Sequence, residues 1–77
     1  MECEIKVNRY YLIDDEQYFF SGIEDIVEEE LSYSEDLKDA ISFETIEEAR
    51  RFKENLKENF KTDFNIVKIN FEFIKEM

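Results

Sequence analysis

The sequence has no histidine, no proline and no tryptophan, and it contains only one cysteine and one glycine. Without histidine, the chain lacks the commonest general base and the commonest metal ligand. One glycine is too few for a glycine-rich phosphate-binding loop. Cys3 has neither a second cysteine nor a histidine to pair with, so we interpret it as a small core residue. These absences predict a protein that is not an enzyme and that binds no metal or cofactor.

The sequence also lacks a long hydrophobic run. Its N-terminal residues alternate between polar and apolar, so we expect neither a signal peptide nor a membrane span. The unpaired thiol favours the reducing cytoplasm as the location of the protein. With 77 residues, of which 43% are hydrophobic, the chain is expected to fold as a single domain over residues 1–77.

Basic residues are scarce relative to acidic ones. The chain has 21 Asp and Glu against 10 Lys and Arg, which gives a formal net charge of -11. Residues 14–39 hold eleven of the acids and only one base, Lys38, whereas the remainder has ten acids and nine bases. This excess disfavours nucleic acid and anionic membrane as direct partners. It favours a basic protein surface as the partner, and the alternative is an acidic face that only keeps the protein soluble.

The first and last segments have the pattern of β-strands. In residues 2–13, Cys3, Ile5, Val7, Tyr11 and Ile13 share one face, and period-2 alternation of this kind predicts a half-buried strand. Residues 64–74 repeat the pattern. Their predicted apolar face consists of Val67, Ile69, Phe71 and Phe73.

The segment between residues 14 and 31 is open to two interpretations. The polar residues 14–17 predict a loop that leads into a second, short strand at Tyr18–Phe20, and so a hairpin. Ser21 and Glu24 have capping-box spacing, so we predict a short helix over residues 22–31. Its apolar stripe, at helical intervals, would consist of Ile23, Ile26, Val27 and Leu31. The alternative is that the second strand continues through Ile23 and the acidic stretch forms a loop.

Two further helical patterns follow. Ser34 could cap a helix of one or two turns that contains Leu37, Ala40 and Ile41. Thr45 begins a second capping box, and an apolar stripe predicts an amphipathic helix over residues 46–60. The expected fold is therefore α+β. It comprises a three-stranded antiparallel sheet, one long helix on its apolar face, and one or two short helices between.

The acidic region is the candidate binding site. An unneutralised field of this kind can imitate the phosphates of nucleic acid, and aromatic side chains beside it are typical of interface anchors. The predicted partner-binding residues are Asp14, Asp15, Glu16, Tyr18, Glu24, Asp25, Glu28, Glu29, Glu30 and Tyr33.

The segment from Asp36 to Phe52, with its Phe-x-Thr-x-Glu-Glu-Ala pattern after an aromatic hairpin, resembles small acidic phage and prophage proteins. In size, acidity and lack of catalytic residues the chain is also similar to anti-CRISPR proteins and to DNA-mimic inhibitors. The resemblance implies a phage-encoded inhibitor that acts in the host cytoplasm. It would bind a basic host protein, a nucleic-acid-binding enzyme such as a CRISPR effector.

Two other functions compete with this interpretation. One is a small phage structural or oligomeric interaction domain, in which the exposed last strand pairs with another copy in a homodimer. Ile66 and Ile74, which interrupt the polar face of that strand, favour this alternative. The other is a small hydrolase, which the missing site chemistry disfavours.

Overall fold

The computed structural model describes the backbone of residues 2–76 and the side chains of residues 7–71. Four strands form one antiparallel sheet in the order β3-β2-β1-β4. The α+β class is confirmed, with four strands where three were predicted. The elements are β1 (Glu2–Ile13), β2 (Phe19–Asp25), β3 (Glu30–Ser34), a 3-10 turn (Leu37–Asp39), α1 (Ile46–Asn59) and β4 (Asn65–Glu76).

Residues 22–31 form a β-hairpin, so the predicted helix is wrong and the alternative of a continued strand is correct. Strand β2 pairs with β3, and Ile23 lies opposite Leu31. In a helix, Glu24 would lie next to Glu28 and Asp25 next to Glu29, and these like charges would repel. The hairpin avoids this helical arrangement. Gly22, at a register shift in β2, has φ 151, a conformation that other residues rarely adopt.

The short helix predicted after Ser34 is reduced to the single 3-10 turn. Asp36 caps this turn, because its side chain accepts a hydrogen bond from the Lys38 amide. Ser34 lies outside the turn, where its hydroxyl accepts a hydrogen bond from the Asp36 amide at 3.0 Å. The chain then returns to the sheet, and Phe43 exchanges backbone hydrogen bonds with Tyr10 at 2.8 and 2.9 Å.

The long amphipathic helix is confirmed, with its end one residue earlier than predicted. The Thr45 hydroxyl accepts a hydrogen bond from the Glu48 amide at 3.2 Å, which caps the first turn of α1. Ala49 and Leu56 are fully buried, and Phe52 packs against the same cluster. The helix therefore contributes the predicted apolar stripe to the core.

The helix covers the face of the sheet opposite to the one predicted. Leu12 and Ile66 lie side by side in β1 and β4, and both contact the core that includes Leu56 of α1. Because side chains alternate along a strand, Tyr11 and Val67 point to the other side. The prediction was wrong because the face away from the helix, which we call the outer face, has the longer series of alternating apolar residues. The helix instead packs on the ends of the two strands, where Leu12, Phe64 and Ile66 are apolar.

Strands β1 and β4 form a long ribbon. Their ladder pairs twelve consecutive residues without a shift, from Glu2 opposite Glu76 to Ile13 opposite Asn65. The ribbon contributes to an elongated molecule of 52 × 22 × 21 Å. Its outer face carries apolar side chains, of which Tyr11 is buried and the other described ones are half-buried. The described ones are Val7, Tyr11, Ile13, Val67, Ile69 and Phe71. The side chain of Cys3, predicted to lie in the core, is outside the described residues, as are those of Ile5 and Phe73.

Candidate functional site: two acidic turns joined by strand β2

The predicted binding residues fall into two groups at opposite ends of β2. The turn before β2 carries Asp14, Asp15 and Glu16, and the turn after β2 belongs to the β2–β3 hairpin. A seven-residue strand spans about 20 Å, so the two groups of carboxylates lie about that far apart. The acidic region of the sequence therefore forms two acidic turns, one at each end of β2.

The first turn uses one of its carboxylates to hold its own backbone. Asp14 Oδ1 accepts hydrogen bonds from the amides of Glu16 at 3.0 Å and Tyr18 at 2.8 Å. Gln17 takes a positive φ of 70 to close the turn. Asp15 Oδ1 accepts a longer hydrogen bond, 3.4 Å, from the Asn65 side chain at the start of β4. Asp14 therefore has a structural role in this turn, while Glu16 is exposed.

The two predicted tyrosine anchors lie near this first turn. The pKa of Tyr18 is raised above its ordinary value, first because its hydroxyl shares a hydrogen bond with Glu35 and then because Glu35, Glu16 and Asp14 repel the phenolate. Burial is the main reason that the pKa of Tyr33 is raised, and Asp14 adds to it. The Tyr33 ring lies 6.0 Å from that of Phe64, yet 44% of the residue is exposed.

The Glu35–Tyr18 contact predicts a measurable shift. We expect the Glu35→Gln variant to lower the pKa of Tyr18 toward that of free tyrosine, because the replacement removes a negative charge beside the phenolate. A pKa that is raised in the folded state stabilises the protein at pH values below the ordinary tyrosine pKa of about 10. This stabilisation is lost as the pH rises through the pKa of the folded state. The measurement is a tyrosinate absorbance titration, with Tyr18→Phe to isolate this residue. The exposed Glu48→Gln should leave the titration unchanged, and an unchanged titration of Glu35→Gln would contradict the contact.

The second turn forms the tip of the β2–β3 hairpin. Asp25 Oδ1 accepts hydrogen bonds from the amides of Val27 at 2.9 Å and Glu28 at 3.2 Å, and Glu29 adopts a positive φ of 56. This geometry turns the chain within four residues. We call the whole feature the hairpin tip, and it comprises Glu24, Asp25, Ile26, Val27, Glu28, Glu29 and Glu30. All seven residues are exposed.

The hairpin tip places hydrophobic and acidic side chains together in solvent. Ile26 is 75% exposed and Val27 is 87% exposed, which are the two largest exposures among the described large hydrophobic residues. The sequence pattern had assigned both to the buried stripe of a helix. The hairpin explains why they are exposed, since a four-residue turn at the end of a two-stranded arm has no layer to pack against.

The tip carboxylates face each other without neutralisation. Asp25 lies directly opposite Glu30 in the β2–β3 ladder, and like charges in that position destabilise a strand pair. Within residues 7–71, the ion pairs shorter than 4 Å are Lys38–Asp36 and Lys53–Asp63, and neither involves a tip residue. The hairpin therefore keeps a repulsive arrangement that no base in the described side chains relieves.

An open groove lies between the hairpin and the helix. Its volume is about 480 Å³, and Ile23 of β2 forms its hairpin side. Ile23 is 41% exposed and is two residues from Asp25, so the groove begins next to the tip. The other lining residues are Phe43, Glu48, Arg51, Phe52 and Asn55.

Comparison with models of known protein families, with curated proteins and with solved structures gave no match. No helix in residues 2–76 is both long and apolar enough to cross a membrane. Among the described side chains, those of residues 7–71, no three acidic groups converge as metal ligands would. The fold and the site thus define a small acidic α+β protein whose exposed features are two carboxylate-rich turns.

Proposed function

We propose that this protein is a non-enzymatic, phage-encoded inhibitor that binds the basic, nucleic-acid-binding surface of a host protein. The observation that carries the proposal is the hairpin tip, where five acidic residues surround two exposed hydrophobic side chains. The sequence resemblance to anti-CRISPR and DNA-mimic proteins supports a CRISPR effector in the host cytoplasm as the partner.

The charge at the tip supports recognition rather than stability. Asp25 holds the turn through two backbone hydrogen bonds, but Glu30 lies directly opposite it, and this like-charge pair weakens the hairpin. Directly opposite residues on a strand pair have Cβ atoms about 4.5–5.5 Å apart, so the Asp25 and Glu30 side chains start close together across the arm. A cationic groove built for a phosphate backbone would neutralise them, which converts a cost in the free protein into a gain in the complex.

The hydrophobic residues supply the second part of the proposed interface. Charged contacts accelerate association and select partners, whereas buried apolar contacts contribute most where water is excluded. Ile26 and Val27 lie between the acidic residues at the end of the arm, so they would enter the partner first. The narrow hairpin is the shape that inserts into a groove, and the first acidic turn, about 20 Å away, would contact a second basic region.

The test is capture from bacterial lysate by the immobilised protein at low and at high salt. We expect a basic nucleic-acid-binding protein to be retained at low salt and released at high salt, because exposed ion pairs are screened. Added DNA or RNA should also release it, since both ligands would occupy one surface. Retention that persists at high salt and in the presence of nucleic acid would contradict the proposal.

A further inference from the structure

The β1–β4 ribbon carries no net charge, although the protein is strongly acidic. Residues 2–13 and 65–76 together contain four acids and four bases, so the whole net charge of -11 resides in residues 14–64. The acids are Glu2, Glu4, Glu72 and Glu76, and the bases are Lys6, Arg9, Lys68 and Lys75. The ribbon is therefore the part of the molecule that another copy can approach with least electrostatic repulsion.

Strand β4 is an edge strand with twelve residues and no partner beyond β1 in the described sheet. Typical strands have five or six residues, and natural proteins protect long edges with charged side chains, proline, bulges or a covering element. Strand β4 contains no proline, and its ladder with β1 has no register shift. In the described pairings the outer edge of β1 is closed only toward its end, at Tyr10 by Phe43 and at Ile13 by Phe19, so residues 2–9 leave an open edge that is shorter than that of β4.

The sequence of β4 is complementary to itself in the antiparallel register centred on Asn70. With a two-fold axis at Asn70, Lys68 of one copy lies opposite Glu72 of the other, twice by symmetry. The same register places Ile66 opposite Ile74 and Ile69 opposite Phe71, so each face of the strand meets the matching face. Moving the axis to Phe71 places Lys68 opposite Ile74, and moving it to Ile69 places Lys68 opposite Asn70. In neither of these two registers does Lys68 lie opposite an acidic residue.

We propose that two copies of this chain form a dimer by pairing their β4 strands antiparallel about Asn70. The two sheets become one of eight strands, and the apolar outer faces of the two ribbons become continuous. At about 4.8 Å per strand, the β3 strands lie roughly 34 Å apart across that sheet. This is about four times the screening length of 8 Å at physiological salt, so the two acidic hairpins scarcely repel each other.

Substitutions at Lys68 and Glu72 distinguish pairing in this register from a general effect of net charge on dimerisation. Lys68→Glu makes the protein more acidic and Glu72→Lys makes it less acidic, yet each places like charges opposite each other in the dimer. We expect sedimentation equilibrium to show dimerisation weakened about tenfold by either variant and restored in the double variant Lys68→Glu/Glu72→Lys. Lys57→Glu, an exposed helix residue with the same charge change as Lys68→Glu, should dimerise like the wild type.

The proposal would be overturned if the wild type remained monomeric at all concentrations or if Glu72→Lys dimerised more tightly than the wild type. It would also be overturned if the double variant dimerised as weakly as Lys68→Glu. Hydrogen exchange of the wild type provides a check that needs no substitution. Backbone amides in β4 that are unpaired in the monomer should exchange more slowly as the protein concentration rises. Exchange in β4 that does not depend on concentration would also overturn the dimer.

Discussion

Replacing Phe20 with alanine should destabilise the protein by about 3–5 kcal/mol, which is the usual cost of removing a buried aromatic ring. Phe20 is 1% exposed, and its ring centroid lies 5.5 Å from that of Phe52 and 5.7 Å from that of Phe64. It therefore joins β2 to the helix and to the start of β4. A domain of this size has a total stability of roughly 4–12 kcal/mol, so a large part of it would be lost. Urea denaturation followed by circular dichroism measures the change.

Phe19→Ala is the matched control for this loss. Phe19 is the neighbouring residue with the same side chain, but it is half-buried on the outer face, where its ring contacts that of Tyr11 at 5.8 Å. We expect a cost of less than half that of Phe20→Ala, because partial burial removes less apolar surface from water. Equal losses would show that the outer face is as closely packed as the helix side, which would contradict the placement of α1.

Replacing Glu28, Glu29 and Glu30 together with glutamine should weaken binding to the captured partner about tenfold at low salt, with the fold unchanged. Each exposed ion pair contributes little alone, but three neutralised charges on one tip remove most of its local field. Glu30 also ceases to repel Asp25 across the ladder, so the thermal stability of the variant should be equal to or higher than that of the wild type. Fluorescence anisotropy against the isolated partner measures the affinity.

The control for this variant has the same change in net charge at another place. Glu47, Glu54 and Glu58 are exposed on α1, and their replacement with glutamine also removes three negative charges. We expect binding to remain within about twofold of the wild type, since the local field at the tip is retained. If the helix variant loses as much affinity as the tip variant, the interaction depends on overall charge and the hairpin is not its site.

The elements that were predicted from the sequence are those with a strong local signal. Thr45, its capping partner Glu48 and the apolar stripe defined α1 to within one residue. The alternation in residues 2–13 defined β1, and the same pattern identified β4. The structure of these segments can be predicted from side-chain periodicity, because that pattern involves only residues that are close in the sequence.

The hairpin and the covered face depend on contacts that periodicity does not contain. Ser21 and Glu24 satisfy the spacing of a capping box, but Ser21 instead shares a side-chain hydrogen bond with Ser32 at 2.9 Å across the hairpin. The outer face of β1 and β4 has the better alternation. The helix covers the other face, because Leu12 and Ile66 lie beside Phe20 and Phe64 in one continuous core. Tertiary contacts therefore determine whether residues 22–31 form a hairpin and which face of the sheet the helix covers.

The candidate site was predicted in composition but not in shape. The charge count located the acidic residues, and β2 then separated them into two turns. Ile26 and Val27 were assigned to a helix core, because their spacing with Ile23 and Leu31 suits a helical stripe. In a hairpin the same residues occupy the turn, and they become its most exposed hydrophobic groups. Glu35, the neighbour of Tyr18, had no local signal, since sheet pairing brings the two together.

The most direct test is the salt dependence of partner binding, measured for the wild type, the hairpin-tip variant and the helix variant. If unpaired carboxylates at the tip drive recognition, the affinity of the wild type falls steeply as salt rises, and the helix variant follows the same slope. The tip variant should show a clearly shallower slope as well as a weaker affinity. Identical slopes for all three proteins would contradict the claim that this acidic hairpin is the recognition element.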